Sequence, residues 1–223
     1  MGTKHLLAAL ACATVAAASV AAAKPAGNAA AGEGKSAACG GCHGPDGNNA
    51  PEMYAALKAP KLAGQVQEYI VKSLHDFKAA RRSNEVMSPQ AQAVAENDMA
   101  DIAAWFGSQK VQPNPAQNKD LLALGEKIFM KGIGRPDIVA ACIGCHAPNG
   151  VGNKNWSKVM SNPPAVLAPA IGGQHAGYIS DQLKAYKTGK RATDPARVMR
   201  DITGRMSEKD IAAVAEYVAT LGR

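Results

Sequence analysis

Cys39-Gly-Gly-Cys42-His43 and Cys142-Ile-Gly-Cys145-His146 decide how the rest of this 223-residue chain is read. The second stretch begins roughly a hundred residues after the first, and the likeness continues downstream, which marks an internal duplication. Pro60-Lys-Leu-Ala-Gly64-Gln65 matches Pro169-Ala-Ile-Gly-Gly173-Gln174, and Tyr69-Ile70, Leu74 and Phe77 match Tyr178-Ile179, Leu183 and Tyr186. Near each end, Met87, Asp98, Ile102 and Trp105 match Met199, Asp210, Val214 and Tyr217. The spacing widens along the way, so the second copy carries longer loops.

Each copy opens with a helical stretch, Ala31 to Ala38 and Leu121 to Met130, and closes with an amphipathic one. In the second copy Ile211, Val214, Val218 and Leu221 recur every three or four residues, and Ser207 with Asp210 forms a capping pair at the start. The first-copy counterpart runs through Met99, Ile102 and Phe106. Between the copies, Gly107 to Lys119 holds Pro113, Asn114 and Pro115 without apolar periodicity and reads as an exposed linker. The Gly- and Pro-rich segments after each cysteine motif read as loops, and no stretch is convincing as a strand. The expected fold class is all-α: two tandem domains over 24–112 and 113–223, joined by a short linker.

Cys-x-x-Cys-His is the attachment signature of haem c. One helical turn sets two thiols to reach two vinyl groups of a porphyrin, and the adjacent His is carried beneath the ring to bind iron. The expectation is therefore two covalent haem c groups, on Cys39 and Cys42 and on Cys142 and Cys145, with His43 and His146 as iron ligands. A redox dithiol uses Cys-x-x-Cys, but the following His and the absence of a βαβ pattern argue against it. Structural zinc would gather both pairs into one site, which their separation in different repeats opposes. Aromatic residues make up only 4% of the chain. That is little for cores of this size unless another large apolar body fills them.

The duplication also selects the sixth ligand. Met87 and Met199 are the methionines at equivalent positions; Met99 corresponds to Ile211 and Met206 to Val94, which reads as helix core. Met53, Met130 and Met160 lack counterparts, and His75 aligns with Lys184 and His175 with Val66, so both histidines read as surface or loop residues. Thioether paired with imidazole raises a haem potential. With both faces of each iron occupied, no small-molecule substrate can bind the metal, and transfer is outer-sphere. The carbonyls of Pro60 and Pro169 are the candidates to hold the free ring N–H of each ligand histidine. Arg81, Arg82, Lys190 and Arg191 read either as propionate partners or as a solvated basic face.

The N-terminus reads as a signal peptide over 1–23: Lys4 and His5, then an Ala- and Leu-rich run containing Cys12, then Ala21-Ala22-Ala23. Export to the periplasm follows, with an uncleaved anchor as the competitor. Residues 24–112 hold nine basic and nine acidic side chains, whereas 113–223 hold fifteen against nine. That asymmetry would steer the second domain toward an acidic partner or an anionic membrane surface. Export and the lack of interleaved aromatics exclude nucleic acid.

Both Cys-x-x-Cys-His motifs, Lys61-Leu-Ala-Gly-Gln65, Ile171-Gly-Gly-Gln-His175, the Met residues before Asp98 and Asp210, and the final helices together resemble the cytochrome c4 family. The resemblance covers nearly the whole chain after the signal and implies two class I cytochrome c domains. It implies Cys39, Cys42, His43 and Met87 for the first haem and Cys142, Cys145, His146 and Met199 for the second. It further implies a pseudo-twofold pair with propionates near the interface, and a carrier between a quinol-oxidising complex or other periplasmic donors and a terminal oxidase. The rival readings are the electron-accepting subunit of a periplasmic oxidoreductase, a diheme peroxidase-like enzyme, and a haem sensor or anchored relay. Either enzyme would need a labile sixth site. Cys12 and the Asn153 to Trp156 loop find no place in the scheme.

Overall fold

The computed structural model describes residues 27–153 and 168–223. The expected signal peptide with Cys12, and Met160, lie outside the described residues. The first copy comprises α1 (Ala29–Lys35), α2 (Ala37–His43), α3 (Pro51–Leu57), α4 (Gln67–Lys78), α5 (Met87–Ala93) and α6 (Met99–Ser108). The second comprises α7 (Leu122–Lys131), α8 (Ile143–His146), α9 (Ala176–Lys187), α10 (Val198–Gly204) and α11 (Glu208–Thr220). Two isolated bridges, Ile133 with Val139 and Asn153 with Ala168, are the β-type pairing among the described residues.

Each copy is organised by the crossing of its first and last helices, α1 on α6 and α7 on α11. Glycine makes both crossings close. A Cβ on Gly32 would lie 2.0 Å from the Asp101 carbonyl oxygen, and one on Gly125 would lie 2.1 Å from that of Ala213. Trp105 and Tyr217, matched in the repeat, flank these two glycines. A helix-interior glycine costs about 0.5–1 kcal/mol relative to alanine, and the backbone approach it permits offsets that. The ends are capped as the residue types dictate: Asn28 Oδ1 accepts from Ala31 N–H, and Ser207 and Asp210 form a reciprocal capping box.

The first helical stretch departs from expectation. It breaks at Ser36, whose hydroxyl donates to the Glu33 carbonyl, so the cysteine motif sits on its own helix. In the second copy α7 closes at Gly132 (φ +72°), and the chain passes through a bridged loop before α8. Ile70, Leu74, Phe77, Met99, Ile102 and Phe106 fill one core; Ile128, Phe129, Ile179, Met206, Ile211 and Val218 fill the other. Met99 and Met206 are thus packing residues, as their unmatched positions implied.

The linker is largely non-helical and exposed, as its composition implies, but it is not free. Val111 is buried and the segment is fastened on both sides. Lys61 Nζ in the first domain donates to the Gln112 carbonyl at 2.5 Å and to Asn114 Oδ1 at 2.9 Å. Asn114 in turn donates from its backbone to Ala219 and from its side chain to Gly173. The Pro113 and Pro115 composition signalled missing helix, and what replaces it is a strap between domains. Tyr54 reinforces the contact by donating to Asp181 at 2.7 Å, as does Arg223, which donates to the carbonyls of Ala63 and Gly64 from the other domain.

Candidate functional site

His43 and His146 are the last residues of α2 and α8, and the residue after each has positive φ, Gly44 at +82° and Ala147 at +65°. The sharp exit lets each chain return beneath its own histidine. There the two imidazoles make the same contact: His43 Nδ1 lies 2.7 Å from the Pro60 carbonyl and His146 Nδ1 lies 2.9 Å from that of Pro169. A carbonyl only accepts, so Nδ1 carries the proton and Nε2 presents its lone pair. Both rings are buried, 5% and 9% exposed. Burial pulls each below the ordinary histidine value, with the proline carbonyl opposing it, so both are neutral at neutral pH.

The cysteines of each motif are unbridged and half-buried, and here their thiols stand for the sulfurs that thioether bonds would claim. Burial pushes the Cys39 and Cys145 thiols up and the Cys142 thiol to about 11. A reactive dithiol needs the opposite shift. Among the described residues no three of His, Cys, Asp and Glu gather as a donor set, so the two pairs do not meet as a zinc site would require. Twice over, the chain offers a neutral imidazole with one nitrogen anchored and one free, and beside it two sulfurs one helical turn apart. That donor set fits covalent haem.

Met87 opens α5 and packs, with Cys39, Leu62 and Val71, against the first core. Met199 is the second residue of α10 and is half-buried; its carbonyl accepts from Thr203 Oγ1 at 2.8 Å. α10 packs on α9 as α5 packs on α4, so the two methionines occupy corresponding places. His75 pairs with Glu96 at 3.2 Å and is half-exposed.

His175 lies in a loop, at the N-cap of α9, but not at the surface. It is 4% exposed, stacked on Tyr54 with centroids 5.1 Å apart, and its Nε2 lies 3.0 Å from Asn49 Oδ1. Burial, then the Lys61 charge, draw its pKa down to about 4. Asn49 donates in turn to the carbonyls of Cys42 and Ala59, which ties this interface residue to the first motif.

The basic residues divide. Lys190 is exposed, and Arg81 pairs with Asp76. Arg82 donates to Tyr178 and Gln182 across the interface. Arg191 is buried, donates to Tyr69 Oη at 2.6 Å and Gln182 at 2.7 Å, lies over the Tyr186 ring, and leaves its Nε without a partner among the described residues. A solvated face therefore describes Lys190 and not Arg191. The matched pairs Tyr69 with Tyr178 and Phe77 with Tyr186 were visible in the repeat, but not that they line a shared contact.

The cytochrome c family pattern matches residues 29–110 and 122–222, once for each copy. Cytochrome c4 of Pseudomonas aeruginosa is 39% identical over 196 residues, spanning 87% of this chain and 89% of that protein. A thiosulfate dehydrogenase electron acceptor of Stutzerimonas stutzeri is 32% identical, spanning 83% of this chain and 80% of its own. The crystal structure of reduced recombinant cytochrome c4 from Pseudomonas stutzeri superimposes with a TM-score of 0.75 at 39% identity, covering 88% of this chain and all of that one.

Proposed function

The chain belongs to the cytochrome c4 family, two cytochrome c domains on one polypeptide that carry electrons on covalently attached haem c, and from that premise we propose which residues hold the two groups. Cys39 and Cys42 would attach the first haem and His43 and Met87 would ligate its iron; Cys142, Cys145, His146 and Met199 would do the same in the second domain. The observation that carries this reading is the duplicated contact of His43 with Pro60 and His146 with Pro169, which leaves one ring nitrogen free beside each cysteine pair.

Bound haem supplies a ferric/ferrous couple at each site. The chain's part is to fix that couple. The two proline carbonyls hold the imidazole planes and raise their basicity, the thioethers of Met87 and Met199 would favour the ferrous state, and the two apolar cores exclude water. Arg191, with a buried Nε still to be satisfied, would donate to a propionate.

We further propose that the protein works in the periplasm, between a quinol-oxidising complex or another donor and a terminal oxidase, presenting its more basic second domain to acidic surfaces. The relative named as an acceptor for thiosulfate dehydrogenase favours a sulfur-oxidising donor as a second reading. Among the described residues no helix is long and apolar enough to cross a membrane. The test is a spectroscopic titration of holoprotein. Two haems per chain, a sulfur-to-iron band from both ferric sites and little carbon monoxide binding in the ferrous state are expected; one haem, or a readily displaced ligand at either iron, would overturn the assignment.

A further inference from the structure

Two glutamines that the repeat matches, Gln65 and Gln174, each accept from the next N–H in their own domain, Val66 and His175, and also reach into the opposite one. Gln65 Oε1 accepts from Ala170 N–H and its Nε2 donates to the Ala170 carbonyl, both at 2.8 Å. Gln174 does the same to Lys61, both bonds at 2.9 Å. Each side chain is buried and reads one backbone residue of the opposite domain.

The residues they read are the ones that follow the two prolines. The N–H of Lys61 and the carbonyl of Pro60 belong to a single peptide group, and so do the N–H of Ala170 and the carbonyl of Pro169. Resonance couples the two ends of such a group. An acceptor on its N–H makes the carbonyl oxygen a stronger acceptor, because hydrogen bonds in a chain polarise one another. A continuous line therefore runs from Gln174 through the Pro60–Lys61 peptide to His43, and another from Gln65 through the Pro169–Ala170 peptide to His146.

We infer that Gln65 and Gln174 are crossed positioning residues, each setting the reduction potential of the haem in the other domain. The inference rests on His43 and His146 being the iron ligands. Polarising the carbonyl strengthens the bond from Nδ1–H, gives the imidazole more anionic character and favours ferric iron. Losing the glutamine therefore raises the potential of the opposite haem. It also makes docking of the domains part of each haem's environment, so a separated pair would differ in potential from a docked one.

The test is potentiometry of the two-haem holoprotein, with each haem followed separately by NMR. Gln174→Met keeps the volume and removes both bonds to Lys61, together with the one from His175 N–H. It is expected to shift the first-domain haem toward reduction by about threefold in the equilibrium constant, about 30 mV for one electron, with the second-domain haem nearly unchanged. Gln65→Met is expected to give the mirror result. Tyr54→Phe, which removes a different interdomain bond, is expected to move neither. Gln174→Glu tests rescue: its protonated carboxyl donates to the Lys61 carbonyl and accepts from its N–H, so at acid pH the wild-type potential of the first-domain haem returns. If the methionine variants fail to take up two haems, this rescue in the glutamate variants carries the test. Shifts in the same-domain haem, equal shifts in both, or none would overturn the relay. Failure of the ligand assignment is read separately, in the wild-type holoprotein: its ferric NMR spectrum would then lack the hyperfine-shifted ring resonances of His43 or His146.

Discussion

Acidification should weaken the domain pair through one residue, His175. Its ring is sealed between Tyr54 and Asn49, with Lys61 raising the cost of a positive charge and Glu52 lowering it. The unfolded chain binds this proton near the ordinary 6.5, whereas the folded chain resists it down to about 4. Because the folded value is the lower one, stability is complete above the unfolded value and is lost as pH falls through the interval. At 1.36 kcal/mol per pH unit the loss reaches about 3 kcal/mol by about pH 4. Carboxylates elsewhere also titrate there, so the quantity to measure is a difference. Urea unfolding of wild-type and His175→Phe holoprotein, each at about pH 7 and about pH 4, isolates it: phenylalanine keeps the stack on Tyr54 and cannot titrate. The wild type should lose about 3 kcal/mol more than the variant between the two conditions. Equal losses would refute the argument, since the burial of His175 would then carry no cost for its proton.

Met87→Ala should open the first haem to carbon monoxide and lower its potential while sparing the second; an unchanged spectrum would remove Met87 from the ligand set. Gly125→Ala should destabilise the second domain by about 3 kcal/mol, the upper end for overpacking, because its Cβ would meet backbone at 2.1 Å in the α7–α11 crossing and not a movable side chain. Thermal unfolding would detect this, and a shift of only a few tenths would show that the helices separate without cost.

The parts legible in the sequence were those that chemistry pins to local spacing. Two sulfurs and a histidine must sit within one helical turn, so the motif survives in both copies, and Ser207 with Asp210 announces a helix start by contact over three residues. Met99 and Met206 betrayed themselves as core by lacking a methionine counterpart. What escaped depends on contacts between copies. His175 meets Asn49 across 126 residues of chain, and nothing near it in sequence says it is buried. Aligning it with Val66 compared it with its own counterpart, when its partners lie in the other domain. Arg191 escaped for the same reason, since Tyr69 is 122 residues away. The linker's exposure is legible, but a Pro-rich composition reports only the absence of helix and is silent about Lys61 reaching over from another loop.

That lysine has a kinetic consequence. A tether bolted to Lys61 on one side and to Ala219 and Gly173 on the other leaves the two halves no diffusive swing. Exchange between haems held in the two domains would then have no search step for a thick solvent to slow, and glycerol should retard the meeting with external partners while leaving the internal hop at its own pace.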